Sequence, residues 1–130
     1  DAFGFVDPML SPGLWVAMHS AELLAAAITT QGNLRTALIE YEREMFHLLE
    51  SWQSLIAHFY DGSMMAAHAA GRKIRVRFPG PVSGLMERHV SRNFAAMCCG
   101  AWTCRAYSQG LLRFLTKHTW DCEPATYSIA

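Results

Sequence analysis

Apolar positions recur at spacings of three and four over most of this chain, which predicts a helical protein. From Gly13 to about Thr29, Leu14, Met18, Ala21, Leu24 or Ala25, and Ile28 fall on one face. Most remaining positions there are Ala, Val or Trp, so the helix is expected to be buried nearly all round. Gly32-Asn33 ends it and caps the next element. Leu34, Leu38, Tyr41, Met45, Leu48, Trp52, Ile56 and Phe59 then predict one long helix, with Arg35, Glu40, Glu42, Arg43, Glu44 and Glu50 on its wet side. Asp61-Gly62 breaks the pattern, and Ser63 caps a short helix to Ala70. In "RKIRVRF", Ile74, Val76 and Phe78 alternate with Lys73, Arg75 and Arg77, the period-two signature of a short strand. "PGP" at 79–81 stops it. Helices are expected from Val82 to about Cys99 and from Tyr107 to about His118, separated or kinked around Gly100, with an irregular tail after Trp120. No internal repeat or low-complexity linker interrupts the series.

Composition narrows the class. At 130 residues with 52% hydrophobic content, the chain fits one domain with ample material for a core. Eleven basic residues balance eleven acidic ones, so no global field draws it to nucleic acid or an anionic membrane. The longest apolar run, Leu14 to Ile28, is shorter than the roughly 20 residues a bilayer span needs, and His19, Ser20 and Glu22 interrupt it. Cys98, Cys99, Cys104 and Cys122 lack the paired C-x-x-C spacing of a zinc site, and nothing resembles a secretory leader. Reduced thiols in a cytoplasmic protein are the expectation.

Recognisable chemistry is sparse. His19, His47, His58, His68, His89 and His118 never fall at the H-x-x-x-H spacing that aims two imidazoles to one side of a helix, so no metal is expected. No Gly-x-Ser-x-Gly elbow activates a serine. The basic "RKIRVR" run has no interleaved aromatics and reads as a solvated face. Met64, Met65 and Met97 read as core filler. Trp15, Trp52, Phe59, Tyr60 and Trp102 would suit an aromatic pocket wall, but their helical spacing is that of a core.

One stretch is more specific. "DAFGFVDPMLSPGLWVAMHSAELLA" resembles the second flavin-binding motif of FAD-dependent monooxygenases of the hydroxylase superfamily, and most closely the branch that holds the flavin-dependent halogenases. Asp1 matches the Asp that ends a strand, Gly4-Phe5-Val6-Asp7-Pro8 the loop, Ser11-Pro12-Gly13 the helix entrance, and Ser20-Ala21 a small turn of the helix. About 30 residues carry the likeness; the segment "YEREMFHLLESW" agrees more loosely.

The resemblance implies a mainly α chain that forms the helical C-terminal portion of a larger α/β, Rossmann-like FAD-binding protein, with at most one short strand or hairpin. Residues 1–30 would supply the flavin motif and a buried helix, and 31–130 a helical cap on the substrate side. It implies FAD contacts from Asp1, Phe5, Asp7, Pro8, Ser11, Pro12, Gly13 and Leu14. A small organic substrate, an aromatic one among the candidates, and a nicotinamide or partner reductase belong to the same expectation. A helix start suits the ring because its unpaired N–H groups and roughly half a unit of positive charge favour the anionic edge of reduced flavin. The dinucleotide fingerprint G-x-G-x-x-G does not occur in these 130 residues, so the chain is expected to be a fragment, inactive alone. In halogenases the positions of Pro12 and Gly13 offer backbone N–H groups to the halide, and proline has none. A halogenase-like oxidoreductase is therefore expected over a true halogenase. The competing class is a non-catalytic helical module whose first helix docks into a partner groove.

Overall fold

The computed structural model describes residues 12–30, 32–118 and 122–129. Five helices follow one another: α1 (Pro12–Thr29), α2 (Leu34–Tyr60), α3 (Ser63–Arg77), α4 (Pro81–Cys98) and α5 (Ala106–Lys117). A short 3-10 turn, Pro124–Tyr127, closes the described chain, and no strand occurs among the described residues.

The central element is α2. It starts where Asn33 accepts a hydrogen bond from the Arg35 N–H, satisfying one of the donors a helix start leaves unpaired. Met45, Leu48, Leu49, Trp52, Leu55 and Ile56 are buried along one stripe, and they meet Met64 of α3, Phe94 and Met97 of α4, and Leu112 of α5. Each such side chain contributes about 1.5–3 kcal/mol through removal of its surface from water. The charged residues Arg35, Glu40, Glu42, Arg43, Glu44 and Glu50 are all exposed, as expected.

The corner after α2 needs glycine. Gly62 has φ +77°, and a Cβ there would lie 2.2 Å from the Pro124 carbonyl oxygen. The chain end closes over this corner: the Ser128 hydroxyl and the Ile129 N–H both donate to the Tyr60 carbonyl oxygen, each at 3.0 Å. Gly62, rather than Ser63, occupies the cap position of α3; Ser63 begins the helix, its N–H held by Asp61 Oδ1 at 2.8 Å.

Three expectations are corrected. The period-two segment is not a strand: α3 runs on through Lys73, Ile74, Arg75 and Val76 to Arg77. The helical repeat of Ala66, Ala67 and Ala70, all buried, carries into Ile74, whereas Val76 is 83% exposed and has no strand to pair with. Nor is α1 buried all round. Only Pro12 and Ala27 are buried, and Leu14 is 74% exposed, because α2 is its principal neighbour. The tail after Trp120 is likewise not wholly irregular, since it holds the 3-10 turn.

Candidate functional site

The first helix begins at Pro12, a residue suited to the first helical position because it has no N–H to leave unpaired and its φ is already fixed. Pro12 is buried, while Gly13 and Leu14 are exposed and a Cβ at Gly13 would meet nothing within 4 Å. Asp1, Phe5, Asp7, Pro8 and Ser11 lie outside the described residues.

Three contacts with other parts of the fold, and one stacking within the helix, set the orientation of α1. The Trp15 ring stacks on His19, with centroids 5.0 Å apart, and sits 6.2 Å from the ring of Trp52. The same indole lies over Gly100, at the turn between α4 and α5. One helical turn on, the Ser20 and Tyr41 hydroxyls are 2.8 Å apart and tie α1 to α2. His19 is half-exposed rather than a core residue, and its Nδ1 is 3.7 Å from a Glu22 carboxylate oxygen. The aromatics act as core: Trp52 is buried, and Trp15, Phe59, Tyr60 and Trp102 pack against its cluster.

A polar network joins α4 to α5, buried at Asn93 and Ser108 and exposed at His89 and Tyr107. Ser108 donates to Asn93 Oδ1 at 3.1 Å, Asn93 donates to the His89 carbonyl oxygen at 2.9 Å, and the Tyr107 hydroxyl is 2.7 Å from His89 Nε2. Gln109 donates to the carbonyl oxygens of Ser51 and Thr103 and so pins α5 to α2. Around Asn93, Ser108 and Gln109 these bonds satisfy groups that burial would otherwise leave unpaired, Gln109 Oε1 excepted, which is a structural role.

Other clusters are chemically quiet. His58, Asp61 and Ser63 contain the residue types of a nucleophilic triad, but Ser63 Oγ at 3.0 Å and Asp61 Oδ2 at 3.7 Å both approach Nδ1 of His58. A triad needs them on opposite ring nitrogens. Burial raises the thiol pKa of Cys98, with the neighbouring Cys99 adding to it, and burial also raises that of Cys104; neither is an activated nucleophile. All four cysteines are free thiols, and no cluster of metal-ligating side chains occurs among the described residues. No helix among the described residues is long and apolar enough to cross a membrane.

Sequence reasoning missed one feature. Between α3, α4 and α5 lies an apolar cavity of about 240 Å³, bordered by Ala70, Ile74, Met86, Val90, Phe114 and Leu115. The small residues on α3 that leave this space are ordinary in a helix and give no warning of it. Comparison of the chain with protein-family models, with characterised proteins and with solved structures finds no match.

Proposed function

We propose that this chain belongs to an FAD-dependent oxidoreductase of the monooxygenase and halogenase-like kind, to which it contributes the flavin-facing helix entrance and the helices on the substrate side. The observation that carries the proposal is the sequence likeness, with which a helix following it is compatible. The sequence Gly4-Phe5-Val6-Asp7-Pro8 and Ser11-Pro12-Gly13 resembles the family's flavin loop, and the chain from Pro12 onward, where the described residues begin, is helical. The exposed line of Leu14, Met18 and Ile28 on α1 also suits a helix that a nucleotide-binding sheet would cover.

In this reading the enzyme would bind FAD mainly through residues beyond these 130. The cofactor would supply the redox chemistry. Here, Gly13 and Leu14 would bring backbone N–H groups to the pyrimidine edge of the ring, where negative charge gathers on reduction. Pro12 offers no such donor, which favours oxygenation or hydride transfer over halide use.

The test is the open reading frame around Asp1 together with the flavin content of its full product. A Gly immediately before Asp1, a G-x-G-x-x-G farther upstream and a purified protein with flavin absorbance are the expected results. A start codon immediately before the Asp1 codon, or a full product that neither retains nor takes up FAD, would overturn the proposal and leave the helical interaction module in its place.

A further inference from the structure

We propose that α3, α4 and α5 form a binding site for a small apolar acid, a molecule with one carboxylate head and a hydrocarbon or aryl body. The site stands apart from the helix entrance: no residue of α1 or α2 borders it.

Two adjoining cavities make it up. The apolar one described above would take the body. The second, of about 470 Å³, is polar and opens beside the start of α4, bordered by Arg75, Pro81, Gly84, Leu85 and Arg88. Arg75, Glu87 and Ser91 border both, so a molecule lying in one reaches the other past these three side chains. Both cavities are open beside a glycine. A Cβ added at Gly71, on the apolar cavity, or at Gly84, on the polar one, would meet nothing within 4 Å.

Charge at the junction selects the head group. Arg75 is ion-paired with Glu87, and Arg88 borders the same polar cavity, giving two guanidinium groups to one carboxylate. The excess is positive. A guanidinium offers paired donors that match a carboxylate, and a cationic head would meet the same surplus as repulsion. The apolar cavity is bordered by half-buried Ile74, Val90 and Leu115 and by Met86 and Phe114, which are 64% and 59% exposed and would be covered by a hydrocarbon chain or ring, with Phe114 and His118 rings 4.6 Å apart at the α5 end. Glu87 competes with an incoming carboxylate for Arg75, so it sets the affinity from within the site.

The 130-residue chain titrated with decanoate, 1-decanol and decylamine tests this, with heat of binding and the Met86 and Met18 methyl shifts as readouts. Decanoate is expected to saturate below about 1 mM and to bind about tenfold more tightly than decanol, with decylamine weakest. The Met86 methyl should move and that of Met18, on the exposed face of α1, should not. Arg75→Gln with Arg88→Gln should erase the preference for decanoate. Glu87→Gln should strengthen decanoate binding several-fold, a gain that misfolding cannot produce. Ser91→Leu, at the junction, should weaken it in a protein of unchanged melting profile. Equal affinity for decanoate and decanol, failure to saturate, a shift confined to Met18, or weaker binding by Glu87→Gln would each overturn the assignment.

Discussion

Gly100 and Trp15 are in direct contact across the fold: a Cβ built on Gly100 would lie 2.9 Å from the Trp15 indole. The glycine also has φ +87°, a conformation that L side chains rarely adopt. One residue therefore both turns the chain out of α4 and provides the floor for the anchor of α1. Gly100→Ala should cost about 1–3 kcal/mol in chemical denaturation, since the strained backbone and the displaced indole act together. Trp15→Ala alone should loosen α1 while leaving the turn intact, so a double-mutant cycle should show coupling between the two sites. Additive effects would mean that the contact carries no energy.

The exposed apolar line on α1 should bind hydrophobic dye. Leu14, Met18 and Ile28 are 74%, 66% and 61% exposed, and they lie on one side of the helix. Changing all three to Gln should remove most of the dye fluorescence and any self-association seen by light scattering, with little loss of stability, because surface changes of this kind move stability by only about 0.5 kcal/mol. Undiminished dye binding would place the responsible surface elsewhere, for example at Phe46 on α2 or Val82 and Leu85 on α4.

Thiol reactivity should rank by burial. Burial lifts Cys98 and Cys104 above the ordinary thiol range, whereas Cys99 is exposed. At mildly alkaline pH, iodoacetamide should modify Cys99 first, the partly buried Cys98 and Cys104 more slowly, and the buried Cys122 mainly after unfolding, as mass spectrometry of the peptides would show. The sign of the linked stability follows. The folded chain holds the Cys98 and Cys104 protons more tightly than the unfolded chain does, so their contribution is fully present below the unfolded thiol pKa and is lost as pH rises through the higher folded values. Both thiols are only partly buried, which keeps the effect small.

The proposed flavin role can be probed in the full-length, FAD-loaded protein by two substitutions. Pro12→Thr restores an N–H at the helix entrance and should raise halide affinity, read as a chloride-dependent change in the flavin spectrum, with FAD retained. Asp1→Ala should weaken FAD retention by about 1.5–3 kcal/mol, the worth of a hydrogen bond to a charged group. Retention of FAD by Asp1→Ala through prolonged dialysis would contradict the residue-by-residue likeness at its first position.

Local rules made much of the fold legible. Asn33 caps α2, the Asp61-Gly62 corner ends it, and the stripe from Met45 to Ile56 faces the core because three-and-four spacing leaves it no alternative. The strand expectation for residues 73–78 failed for a physical reason. Alternation of Ile74, Val76 and Phe78 scores a strand only if another strand is present to pair with, and among the described residues there is none. Burial of α1 was equally unreadable, since an Ala-rich helix looks the same whether or not its outer face is covered. Of the implied flavin residues, the structure describes Pro12, Gly13 and Leu14, all within α1. The cavity between α3 and α5 was invisible because it depends on where three helices meet, which no single window of sequence encodes.

The bonds from Ser128 and Ile129 to the Tyr60 carbonyl have a mechanical consequence. They fasten the end of the described chain to the corner between α2 and α3, so the segment from Tyr60 to Ile129 is a loop with its two ends tied. Tension applied at the C-terminus would load that corner before it reached α5. The two bonds would share the force until they ruptured, and only then would the 3-10 turn pull away and expose Gly62. In an optical-trap pulling experiment the molecule should yield in a short first step of a few nanometres or less, followed by the larger extension of the helical core.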